Sequence, residues 1–124
     1  MERNTQQRQA IFQVLKDAGR PLSVQEVLEL AQEHCQGLGV ATVYRNLKAL
    51  VSDDKLVSVE MPGNLVLYEL SRQKHHHHFS CVNCSKVFDI DACGLNLKKL
   101  IPDGFTLQQH EILLSGFCNS CSSL

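Results

Sequence analysis

Two cysteine pairs, Cys81-x-x-Cys84 and Cys118-x-x-Cys121, constrain this chain more than any other feature of its sequence. Each pair sets two thiols within reach of one ion, and two such pairs complete the tetrahedral four-thiolate site that zinc favours. The spacer from Cys84 to Cys118 is longer than in a compact zinc knuckle, so the metal would staple the end of the chain back onto a sheet. Loop-closure entropy grows only slowly with length, and the long spacer is no obstacle. A closed four-thiolate site leaves no open position for catalysis, which makes it architectural. The competing uses of the same cysteines are a redox switch and disulfides. The polar N-terminus, Met1 to Gln7, lacks the apolar core of a secretory signal, and no stretch reaches the length of a membrane span. The expectation is therefore a cytoplasmic protein without a membrane partner, where thiols stay reduced and hold metal.

The 124 residues suffice for one ordinary domain or two small ones. A net charge of -1 argues weakly against a nucleic-acid partner, but the segment from Gly39 to Val51 contains Arg45 and Lys48 and no acid. Periodicity in the first half predicts helix, helix, helix, hairpin. Ile11, Val14, Leu15 and Ala18 share one helical face that Gly19 and Pro21 bring to an end. Ser23 with Glu26 forms a capping box for a second helix with Val24, Val27, Leu28 and Ala31 inside. Val43, Leu47, Leu50 and Val51 mark the inner stripe of a third, leaving Thr42, Tyr44, Arg45 and Lys48 mostly on other faces. The period then drops to two from Val57 to Met61, turns at Pro62-Gly63-Asn64 and returns from Leu65 to Leu70. Three helices and a hairpin make a winged helix-turn-helix, whose third helix is the one that enters DNA.

The second half holds five of the six cysteines and five of the six histidines. The reading is an α+β chain, with a winged-helix DNA-binding domain over residues 1–70 and a small α/β dimerisation and metal-binding domain over 71–124. Strands are expected at His78 to Ser80, Lys86 to Ile90 and Phe105 to Ser115, with a short helix near Leu95 to Ile101. In an extended run His75 to His78, His76 and His78 point one way and His75 and His77 the other. Two metal sites can then draw on alternating members, with Glu69, Asp89 and His110 as further ligands. The plainer alternative is a solvated histidine run. Cys35 reads as a small buried hydrophobe, and Cys93, close in sequence to Asp89, as a possible ligand.

The chain resembles the ferric-uptake-regulator family along nearly its whole length. The resemblance is carried by Thr5-x-Gln7-Arg8, Ala41-Thr42-Val43-Tyr44-Arg45, Tyr68-Glu69, the histidine run, Cys81-x-x-Cys84-x-x-Val87 and Gly116-x-Cys118-x-x-Cys121. It implies a homodimeric repressor whose metal-loaded form binds a palindromic double-stranded DNA operator. Tyr44 would contact bases and Arg45 the phosphate backbone, with Thr42, Lys48 and Arg8 as further DNA contacts. Cys81, Cys84, Cys118 and Cys121 would hold structural zinc. A regulatory metal would sit between the domains on Glu69, His76, His78 and Asp89, and an accessory one on His75, His77 and His110.

The sequence departs from the family pattern in three places. Arg20-Pro21-Leu22 stands where members often have a histidine before the second helix, and Asn96 where a carboxylate is expected. His77 replaces a frequent aspartate and Cys93 adds a soft ligand, changes that favour zinc over iron or manganese as the regulatory metal. The alternative on the same scaffold is a peroxide or redox sensor. An enzyme is disfavoured, because no His-Glu-x-x-His helix or nucleophile-base pair is present.

Overall fold

A computed structural model describes residues 2–72, 76–91 and 96–122, residues 2–4 at the level of the backbone only. Its contacts divide the chain into two compact units, Met1–Gln73 and Lys74–Leu124. The order of elements in the first is α1 (Glu2–Ala18), α2 (Val24–Ala31), α3 (Val40–Ser52), β1 (Leu56–Met61) and β2 (Leu65–Leu70). The second contains β3 (His77–Cys81), β4 (Val87–Ile90), a 3-10 turn at Leu97–Leu100 and β5 (Leu113–Gly116).

The first unit is built around the apolar stripes of its helices. Ile11, Val14 and Leu15 of α1 meet Val27 and Ala31 of α2 and Val43, Leu47 and Leu50 of α3 in one buried cluster, closed by Leu22, Leu38, Leu56 and Tyr68. Each large side chain so buried contributes roughly 1.5–3 kcal/mol. Gly19, at φ 62°, ends α1 in the left-handed conformation that glycine accepts without a Cβ clash. The capping box of α2 is complete: the Glu26 N–H donates to Ser23 Oγ at 3.1 Å, and the Ser23 N–H donates to Glu26 Oε1 at 3.0 Å. Arg20 Nη2 holds the second oxygen of the same carboxylate at 2.7 Å. β1 and β2 pair antiparallel from Leu56↔Leu70 to Met61↔Leu65. Gly63 and Asn64 in the connecting turn both have positive φ, 83° and 61°, which few other residues tolerate. Leu22 and Tyr68 exchange two backbone hydrogen bonds of 2.8 Å, so the segment before α2 covers the outer edge of β2.

In the second unit β3 is central, with β4 antiparallel on one side and β5 parallel on the other. Two expected elements are shorter than their sequence patterns. The strand expected over Phe105 to Ser115 forms only as β5, and Phe105 and Leu107 are exposed in irregular chain. Alternation reports which residues are apolar, but a ladder also needs a partner, and β3 pairs with this segment only from His78↔Leu113 to Cys81↔Gly116. The helix expected near Leu95 to Ile101 is a single 3-10 turn, Leu97–Leu100. Asn96 gives it no side-chain cap, Leu100 lies 70% exposed, and Pro102 cannot extend it. Leu95 lies outside the described residues.

Candidate metal centres and nucleic-acid interface

The four cysteines of the two pairs converge at one end of the β3-centred sheet. Cys81 is the last residue of β3, Cys84 follows in the turn to β4, and Cys118 and Cys121 follow β5. Because β5 runs parallel beside β3, with Cys81 opposite Gly116, the second pair emerges next to the first. Their four sulfurs lie within 4.8 Å of one another. Cys81, Cys118 and Cys121 are buried, and only Cys84 reaches the surface.

Backbone N–H groups from both halves of the cluster point at one sulfur. Those of Cys84 and Cys118 donate to Cys81 Sγ at 3.5 and 3.4 Å. These bonds, the Cys84 one first, lower the Cys81 thiol to about 6. Cys121 has the opposite balance. A hydrogen bond from Asn83 Nδ2, at 3.2 Å, favours its thiolate, but burial and the three neighbouring sulfurs outweigh it and raise the pKa to about 11. A divalent cation relieves that crowding of sulfurs, so four thiols with amide donors already aimed at them fit zinc. Asn83, inside the first Cys-x-x-Cys, is a supporting residue that the cysteine spacing alone does not reveal.

The turn that presents this first pair carries strain. Ser85, directly after Cys84, has φ 66°, and its N–H closes the turn onto the Cys81 carbonyl at 3.0 Å. A left-handed non-glycine residue costs roughly 1–2 kcal/mol. Ser85→Gly is therefore expected to raise stability by up to about 1 kcal/mol, after allowing for the added entropy of the unfolded chain. Thermal unfolding of the zinc-loaded variant checks this, and an unchanged or lower midpoint counts against the strain.

A second cluster sits on the same sheet. His78 of β3 is the cross-strand partner of Asp89 of β4, so their side chains rise from one face. His76, two residues before His78, joins them: Asp89 Oδ1 lies 3.3 Å from His78 Nε2 and 3.6 Å from His76 Nε2. The two imidazoles meet edge to face with centroids 5.0 Å apart, and all three side chains are partly buried. Two imidazoles and a carboxylate with ligand atoms within 4.8 Å can hold a borderline or hard divalent cation. Glu69, which the sequence adds to this set, is buried near the end of β2 in the first unit.

His77 faces the other way and is buried. The Ile112 N–H donates to its Nδ1 at 3.1 Å, and the His110 ring lies 5.0 Å from it, centroid to centroid. With Nδ1 accepting this bond, the lone pair of a neutral His77 is engaged by the Ile112 N–H. His75 and Cys93 lie outside the described residues. Cys35 packs, half-buried, against the core of the first unit, as a small apolar residue does.

On α3, Tyr44, Arg45 and Lys48 are exposed and Thr42 is partly so. Arg45 Nη2 donates to Thr42 Oγ1 at 3.3 Å, and Lys48 Nζ stands 5.2 Å from the centre of the Tyr44 ring. The neighbouring Tyr44 is the main cause that raises the Lys48 pKa above that of a free lysine. Arg8 of α1 reaches the same helix through Asn46, a buried residue absent from the apolar stripe read in the sequence. No helix among the described residues is long and apolar enough to cross a membrane.

Comparison with known proteins agrees with this arrangement. The model of the ferric uptake regulator family matches residues 2–115. The ferric uptake regulation protein of Cupriavidus metallidurans is 32% identical over 111 residues, 87% of this chain and 76% of that protein. Among solved structures, the ferric uptake regulator of Francisella tularensis with iron superposes with a TM-score of 0.73 at 27% identity, covering 94% of this chain and 91% of the other. A zinc uptake regulator from M. tuberculosis gives a TM-score of 0.54 at 25% identity, covering 96% and 95%. The chain belongs to the ferric uptake regulator family, whose members are metal-responsive, DNA-binding transcription regulators and not enzymes.

Proposed function

We propose that the chain is a metal-dependent repressor that binds a palindromic operator as a homodimer, with zinc favoured as the effector over iron or manganese. The observation that carries this reading is the His76–His78–Asp89 cluster, a ligand set held by the β3–β4 register and separate from the four cysteines. Its two imidazoles, beside a four-thiolate centre, support zinc. When bound, a divalent cation there supplies the positive charge that draws two imidazoles and a carboxylate into one geometry. On the sequence alone, Glu69 of the wing is proposed as the fourth ligand. Cys81, Cys84, Cys118 and Cys121 are proposed to hold a second, permanent zinc. His75, His77 and His110 are proposed as an accessory site, where a metal on His77 would take the place of the Ile112 hydrogen bond.

In the DNA-binding unit, Tyr44 is proposed to read base edges, and Arg45, Lys48, Thr42 and Arg8 to hold the phosphate backbone. Exposed apolar side chains on the second unit, among them Leu100, Phe105, Leu113, Leu114 and Phe117, support its role as the dimer contact. A two-fold dimer must set its two α3 helices about 34 Å apart to enter successive major grooves. Metal and DNA binding are then reciprocally linked.

The experiment is elemental analysis before and after mild chelation. Both samples are then assayed on a duplex that the untreated protein selects from a randomised library. One zinc per chain that survives, with a second exchangeable metal whose loss abolishes DNA binding, is the expected result. A single persistent zinc with DNA binding unchanged would rule out the sensing cluster.

A further inference from the structure

Helix α3 buries one polar side chain within its apolar stripe. Asn46 is 7% exposed, beside Val43, Leu47 and Leu50. A buried amide without partners costs about 1–3 kcal/mol, so its hydrogen bonds account for its place there. Nδ2 donates to the Thr42 carbonyl at 3.0 Å, a bond internal to the helix. Oδ1 accepts from Arg8 Nε at 2.9 Å, across to α1.

That second bond uses the one guanidinium nitrogen that leaves the outer fork intact. With Nε taken, rotation about the end of the arginine is restrained, while both Nη groups keep the parallel geometry that matches two oxygens of a phosphate. Arg8 is exposed, and no other hydrogen bond or ion pair of its side chain is present among the described residues. The same turn of α3 holds the second guanidinium, because Arg45 bonds Thr42 Oγ1 and Asn46 bonds the Thr42 carbonyl.

We infer that Asn46 is a positioning residue for DNA backbone recognition: it grips Arg8 by Nε and aims the Nη fork, alongside Arg45, at a phosphate of the duplex. The inference rests on the DNA-binding reading above. A purely structural Arg8–Asn46 bond would tie α1 to α3 and change stability while leaving the ionic character of DNA binding untouched.

The test uses the metal-loaded full chain and a duplex that it selects from a randomised library. The logarithm of the binding constant falls with that of salt by about 0.9 per phosphate neutralised on B-DNA. Arg8→Ala is expected to lower this slope by about 0.9 per protomer, and Asn46→Ala by a similar amount. The double variant should lose no more than either alone, because both remove one contact. The slope is insensitive to the fraction of folded protein, so mere destabilisation does not mimic the effect. Arg8→Lys, which keeps the charge and loses the fork, gives an independent reading should Asn46→Ala not fold. It is expected to bind about tenfold more weakly than the native protein. A native slope in Asn46→Ala, slope losses that add, or native affinity in Arg8→Lys each overturns the inference. Failure of the native protein to select any duplex would instead remove the DNA-binding reading itself.

Discussion

Replacing Cys118 with serine is expected to unfold the second unit, and removal of zinc by a strong chelator should do the same. The reason lies in what that unit has for a core. Among the described residues its buried cluster is Cys81, Cys118 and Cys121, with Phe88 packed against them and Val87 close in sequence. Domains of this size seldom reach useful stability on apolar burial alone and need a staple. A structural zinc supplies an apparent 10–16 kcal/mol at neutral pH, roughly the whole stability of a typical domain, at about 5–15 kcal/mol. Losing one thiolate also leaves three crowded sulfurs without the charge that offsets them. Amide NMR spectra check this unit by unit. Signals of β3, β4 and β5 should collapse toward unfolded positions, while those of Ile11, Leu15 and Leu47 persist, since their core contains no cysteine ligand. A Cys118→Ser protein that keeps its zinc and its dispersed β3 signals would show that the cluster is not the staple.

The second large effect concerns the histidines. The double replacement His76→Ala with His78→Ala is expected to abolish the metal response of DNA binding while the four-cysteine zinc remains. If metal favours the DNA-binding arrangement by ~3 kcal/mol, affinity for the selected duplex falls by up to about 150-fold, to the level of the chelated native protein. The two imidazoles flank one carboxylate oxygen at 3.6 and 3.3 Å, so their removal takes both nitrogen ligands and leaves only carboxylate, Asp89 and the proposed Glu69. Titration of the variant with zinc, iron(II) and manganese(II), reading both metal uptake and DNA affinity, makes the check. Metal-dependent binding that survives with an unchanged midpoint would move the sensing site elsewhere.

Much of this was legible in the order of residues. The three helices follow from apolar spacing because a helix is a local structure, and the Ser23–Glu26 box lies within one turn. The two Cys-x-x-Cys pairs announce their chemistry for the same reason, each being a short-range arrangement of donors. The overlong strand expected from Phe105 shows the limit. Alternation there is real, yet pairing depends on how far a distant strand extends. Asn46 shows another limit: a polar residue on a helix reads as outward-facing until an arginine from a different helix is found against it.

By itself the sequence determined the donor types, the pairing of cysteines by spacing, the three helical stripes and the alternation of the histidine run, all set by neighbours within a few residues. The tertiary structure decided which donors meet. The β3–β4 register puts Asp89 opposite His78 and beside His76, the parallel β5 delivers Cys118 and Cys121 to Cys81, and the Ile112 N–H takes His77. Those choices depend on strand register, where a slip of one residue turns every side chain to the other face. Local sequence does not encode that register; it is set by pairing between segments far apart in the chain.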